Sequence, residues 1–127
     1  MAGLEAKKLA PLRILQILHT HSDYDHPLKQ GEIAAYLDQE YGIEMERKAI
    51  GRNIVELKEA GFEIESCRAG TYLARRQFED SELRMLIDGV LQSKHITAKH
   101  SADLIDRLCE LSNKYFRSQL SELPQRR

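Results

Sequence analysis

Arg47, Lys48, Gly51 and Arg52 stand close together in one stretch, and Arg68 follows after a change of pattern. Cations at such spacing are suited to meeting a polyanion. If Ile50, Ile54 and Leu57 mark the inward face of a helix, an advance of about 100° per residue places Lys48, Arg52, Val55 and Glu59 outward. Arg47 and Gly51 then lie on the flanks. The first turns of a helix in the DNA major groove reach base edges, and Arg or Lys there can pair with guanine O6 and N7. Gly51 would let the helix backbone approach the duplex, although inside a helix Gly costs about 1 kcal/mol relative to Ala. Two cations alone fit a solvated charged face as well, so the surrounding elements carry the decision.

Those elements are legible from period. Ile33, Ala34 and Leu37 share one face of a helix expected near 31–39, and Ile50, Ile54 and Leu57 share one of a helix near 46–60. Gly42 and Gly61 follow these stretches, where helix ends favour a residue free to take positive φ. After Gly61 the period becomes two. Phe62 and Ile64 alternate with Glu63 and Glu65, a turn at Arg68-Ala69-Gly70 follows, and Thr71 to Ala74 returns as a second strand. The expected core is Ile33, Leu37, Ile50, Ile54, Leu57, Phe62 and Ile64. The fold class read here is mainly α with a small β-hairpin: a winged helix-turn-helix followed by a C-terminal helical hairpin.

The stretch GIEMERKAIGRNIVELKEAGFEI, with HPLKQGEIAAYL upstream and GTYLARRQFEDSELRMLIDGVLQSKHIT downstream, resembles the N-terminal part of bacterial WYL-domain transcriptional regulators. The resemblance covers roughly residues 7–116. It implies a winged helix-turn-helix whose recognition helix matches Arg47 to Ile54, and DNA binding through Arg47, Lys48, Gly51 and Arg52, with Arg68 at the wing. The family's namesake sensing domain has no counterpart: there is no Trp and no Trp-Tyr-Leu triplet. Ligand sensing through that domain is therefore not implied.

Length and composition fit this reading. A chain of 127 residues accommodates one small domain with an appendage. No apolar run reaches membrane-spanning length, and MAGLEAKKLAPL lacks the apolar core of a signal peptide, so a cytoplasmic protein with no membrane partner is expected. Cys67 and Cys109 show no ligand spacing and are read as reduced thiols. The formal net charge of −1 opposes general attraction to nucleic acid. Its distribution restores a local patch: residues 47–76 hold seven Lys and Arg against four Asp and Glu, +3, whereas residues 1–46 hold four against eight, −4.

The flanking segments are less specific. A helix is expected within residues 5–21, with Leu9, Leu12, Leu15, Ile17 and Leu18 apolar and Pro11 at its start. Lys7, Lys8 and Arg13 are solvated residues or phosphate contacts. His19, His21, Asp23, Asp25 and His26 invite a metal reading. Residues two apart on a helix diverge and no second ligand cluster follows, so a polar loop with no metal is expected. Asp80 is read as N-cap of a helix near 81–93 bearing Leu83, Leu86, Ile87, Val90 and Leu91. Thr97 caps a second, near 98–116, bearing Leu104, Ile105, Leu108, Leu111 and Tyr115.

The expected domains are thus 1–77, the winged helix-turn-helix; 78–116, a helical hairpin for dimerisation or linkage; and 117–127, a flexible tail. The expected function is sequence-specific binding of double-stranded DNA by a transcriptional regulator. Its recognition helix, about 46–60, enters the major groove, and its wing, about 62–75, meets backbone or minor groove. A homodimer through residues 81–116 would set two such helices at a fixed spacing; a cap on the same chain is the other use of those stripes. A protein-interaction winged helix without DNA binding is the alternative function. No phosphate loop, nucleophile–base pair or metal motif is present in the sequence, so neither an enzyme nor a cofactor is expected.

Overall fold

The computed structural model describes residues 7–74 and 76–121, in two compact units, Met1–Arg75 and Arg76–Arg127. The chain is mainly helical with one small antiparallel hairpin. The unit boundary falls two residues before the expected 77.

In the first unit, helix α1 spans Ala10–His21, with Pro11 in its first turn, where the missing N–H removes no helical bond. Ala10, Ile14, Ile17, Leu18 and His21 form its buried face. Helix α2 spans Gln30–Tyr41 and buries Ile33 and Leu37. The Glu32 carboxylate accepts the Lys29 N–H at 2.8 Å and ties off its start. Gly42, at φ 65°, ends it, and the Ile43 N–H then returns to the Leu37 carbonyl, carrying Ile43 into the core. Helix α3 spans Arg47–Glu59 and buries Ile50, Ile54 and Leu57. Strands β1, Ile64–Cys67, and β2, Gly70–Leu73, pair antiparallel with Ile64 opposite Leu73 and Cys67 opposite Gly70.

One core cluster joins Ile14, Ile17, Leu18, Leu28, Ile33, Leu37, Ile43, Ile50, Ile54, Leu57, Ile64 and Leu73. Each of these side chains contributes about 1.5–3 kcal/mol on full burial, so the three helices and the hairpin are held by one apolar interior.

Phe62 departs from the expectation of burial: it is 43% exposed. Alternation holds only where strand pairing imposes it, and β1 begins at Ile64. Phe62 belongs to the turn after Gly61, where its N–H donates to the Leu57 carbonyl.

Two contacts that no period announces fix the hairpin to the helices. Leu28 forms a third, single-residue rung on β2, exchanging two 2.8 Å backbone hydrogen bonds with Thr71. Gly70 must be glycine there: at φ 148°, a Cβ would stand 2.5 Å from the Leu28 carbonyl oxygen. Ser22, fully buried, donates to the Leu18 carbonyl and accepts the Leu73 N–H at 3.1 Å, joining the end of α1 to β2.

The second unit comprises α4, Asp80–Gln92; α5, Ala98–Cys109; and α6, Lys114–Ser121. Its buried cluster is Leu83, Ile87, Cys109 and Phe116. Burial pushes the Cys109 thiol up from its ordinary value. Three expectations change here. The N-cap of α4 is Glu79, whose N–H donates to Glu82, while Asp80 instead accepts the Ser112 hydroxyl at 2.7 Å. The helix expected near 98–116 breaks after Cys109, and Asn113 starts α6 by accepting the Phe116 N–H at 3.0 Å. Residues 117–121, expected in a flexible tail, belong to α6, where Arg117 pairs with Asp106 at 3.0 Å; residues 122–127 lie outside the described residues. Thr97 does cap α5, accepting the His100 N–H at 3.2 Å.

Candidate nucleic-acid interface

The expected contact residues lie on two elements of the first unit, helix α3 and the link of the hairpin, at its surface. Lys48 and Arg52 are exposed on α3, opposite the stripe of Ile50, Ile54 and Leu57, with exposed Val55 on the turn that follows Arg52. Arg68 is exposed in the two-residue link between β1 and β2. Among the described residues, Lys48, Arg52 and Arg68 make no hydrogen bond or ion pair within the chain. Three guanidinium or ammonium groups are therefore left to solvent or to an external anion.

Arg47 and Gly51 are placed differently. Both lie on the flank of α3 that meets the first turn of α2. The Arg47 guanidinium lies over Gly31, its Nη2 being 3.1 Å from where a Cβ would stand. Reciprocally, the Gln30 carboxamide lies over Gly51, with Nε2 3.1 Å from the corresponding point. The bare backbone at Gly51 is thus occupied by a neighbouring side chain rather than left open. Gln30 and Gly31 were not legible as site residues, since nothing in a local window links position 30 to position 51.

On the other flank, the Asn53 amide donates to the Ala49 carbonyl at 2.8 Å and toward the Met45 sulfur, so that side is closed by the helix itself. Of the N-terminal cations, Arg13 is engaged. Its guanidinium sits 4.5 Å from the Tyr41 ring centroid and donates to Gln16 at 3.0 Å. Lys7 and Lys8 are exposed.

The hairpin has two unlike faces. Ile64, Thr71 and Leu73 point into the core, and Glu65, Cys67 and Tyr72 point away. Tyr24, 77% exposed, meets Tyr72 edge-on at 5.8 Å. Desolvation first, and the facing Glu65 carboxylate second, push the Tyr72 phenol up from its ordinary value. This face is aromatic and acidic; the hairpin's cation is confined to its tip at Arg68.

In the histidine-rich segment, His21 and His26 each contact a different carboxylate. His21 stacks on Tyr36 at 3.8 Å and contacts the Glu40 carboxylate at 2.8 Å, while His26 contacts Asp23 at 2.8 Å. Among the described residues, no group of three His, Cys, Asp or Glu side chains is arranged to hold a metal ion, and no helix is long and apolar enough to cross a membrane. Comparison of the chain with protein-family models, with curated proteins and with solved structures gives no match.

Proposed function

We propose that the first unit is a winged helix-turn-helix and that the chain is a cytoplasmic, sequence-specific transcriptional regulator of the kind its resemblance to WYL-domain proteins implies. In this reading α3 enters the major groove of double-stranded DNA, presenting Lys48 and Arg52 to base edges, and Arg68 at the hairpin tip meets the phosphate backbone. The observation that carries it is the pair of unpartnered cations on the outward, N-terminal half of a helix whose opposite face is locked in the core. Such a helix offers base-reading groups in a fixed geometry, as direct readout requires. The Leu28 rung on β2 adds support, since it ties the hairpin that carries Arg68 to the segment between α1 and α2. The sequence stretch 47–76 carries +3 in a chain of net charge −1, the local excess on which this reading relies for attraction.

The test is fluorescence anisotropy on duplex DNA selected from a random pool, at low and moderate salt. Arg52→Ala is expected to weaken the selected duplex by about 1–3 kcal/mol while sparing random duplex. Arg68→Ala is expected to weaken both alike and to lower the salt slope by about one. Unchanged affinity in both variants rejects the reading.

A second reading, a protein-interaction module without DNA binding, is favoured by one specific observation: the outer hairpin face of Tyr24, Tyr72 and Glu65, which repels phosphate and suits a cationic protein partner. We also propose that the second unit, residues 81–116 in particular, forms a homodimer. It buries four core residues and leaves Met85, Leu86 and Leu91 exposed on α4.

A further inference from the structure

We infer that Gln30, the first residue of α2, is a base-reading residue of the same interface, held over the reading helix by the absence of a side chain at Gly51. The inference rests on the proposal that α3 binds DNA. Gln30 is exposed and, among the described residues, its carboxamide has no hydrogen bond within the chain. It is nonetheless in place: Nε2, Cδ and Oε1 stand 3.1, 3.8 and 3.9 Å from the point where a Gly51 Cβ would be, so the whole amide lies along the surface of α3. It lies beside the turn that carries Lys48 and Arg52. Arg47 crosses in the opposite sense, with Nη2, Nε and Cζ 3.1, 3.4 and 3.5 Å from the Cβ point of Gly31.

Two glycines, one on each helix, thus admit one long polar side chain from the other helix. This exchange alters the chemistry of the reading face. The sequence offers cations alone at these positions, suited to guanine; the folded face adds a neutral amide whose NH2 donates and whose carbonyl accepts, the pattern complementary to adenine N7 and N6 in the major groove. Arg47, drawn back over the first turn of α2, leaves that part of the face to Gln30. Gly51 then owes its place to Gln30 and not to close approach of the DNA backbone.

The experiment uses the full chain and the duplex that the wild type selects from a random pool, with every base pair of that duplex substituted in turn. Gln30→Ala is expected to abolish discrimination at one or two adjacent A·T pairs, by about tenfold, leaving the preference at other positions and the salt slope as they were. Gly51→Ala places a methyl group 3.1 Å from the Gln30 Nε2, a contact tight enough to shift the amide by a few tenths of an ångström. It is expected to diminish discrimination at the same pairs with Gln30 still present, while raising the melting temperature through better helix propensity. If Gln30→Ala weakens all duplexes equally, the residue contacts backbone and the inference is overturned; unchanged discrimination in Gln30→Ala, or in Gly51→Ala, overturns it as well. A wild type that selects no duplex removes the functional proposal itself and this inference with it. A wild type that selects one, with Arg52→Ala impaired and Gln30→Ala intact, leaves the proposal standing and removes only Gln30.

Discussion

His21 shows how much a single side chain does in this molecule. The residue ends α1, is buried, lies flat on Tyr36 and reaches Glu40 through Nε2 at 2.8 Å. A carboxylate accepts, so the proton on that contact belongs to Nε2. Nδ1 is left buried and without a partner among the described residues. The ring therefore combines an apolar stack, a charge-assisted hydrogen bond and one unsatisfied nitrogen, and the first two must outweigh the third. His21→Ala removes the stack and opens a gap between α1 and α2. It is expected to lower stability by about 2 kcal/mol in urea unfolding, from the lost ring burial and hydrogen bond together. His21→Phe keeps the stack on Tyr36 and removes the orphan nitrogen, so it should recover most of that loss. If His21→Phe is as destabilised as His21→Ala, the hydrogen bond to Glu40 and not the stack holds the residue.

At the scale of elements, period was informative where tertiary structure merely continued it. Ile33, Leu37, Ile50, Ile54, Leu57 and Ile64 are all buried, because each belongs to an element whose inward stripe matches its own repeat. The exceptions arise where an element ends or where a contact forms between distant positions. Phe62 falls outside strand pairing. Gly51 is covered by Gln30 across the helix-to-helix junction. Residues 98–116 read as one helix because Leu104, Ile105, Leu108, Leu111 and Tyr115 keep a helical apolar spacing with no Gly or Pro between them.

Two polar side chains mark the break after α5: Ser112, bonded to Asp80 at a distance in sequence that no local window spans, and Asn113, a local cap that accepts the Phe116 N–H inside an otherwise helical apolar spacing. Both are buried, so the break is an internal joint and not frayed chain. Asn113→Ala should cost about 1 kcal/mol, the usual loss for an N-cap of this type. Asp80→Asn, which keeps an acceptor for Ser112, should cost less than Asp80→Ala. Thermal melts of the three variants test the joint, and equal Tm values in all of them and the wild type would show that α6 does not depend on it.

At the scale of the whole molecule, the two units differ in how well they supply their own interior. The first gathers twelve buried side chains into one cluster. The second has four among its described residues, with Ile105, Leu108, Leu111 and Leu120 only partly covered and Met85 71% exposed. A unit of this size with so small a core is marginal unless further apolar surface is buried, which is the physical ground for the proposed dimer. A twofold dimer would bury the same stripe on both copies and present two α3 helices to half-sites about 10 base pairs apart, or a multiple of that. Substituting charge into the stripe is a poor test, since it would unfold the unit whether or not it dimerises. Mass in solution decides directly: light scattering is expected to return twice 14.6 kDa at micromolar concentration. A single 14.6 kDa species persisting to millimolar concentration rejects the dimer. DNA recognition would then rest on one copy of α3, and the selected duplex should show one unrepeated site in place of a palindrome.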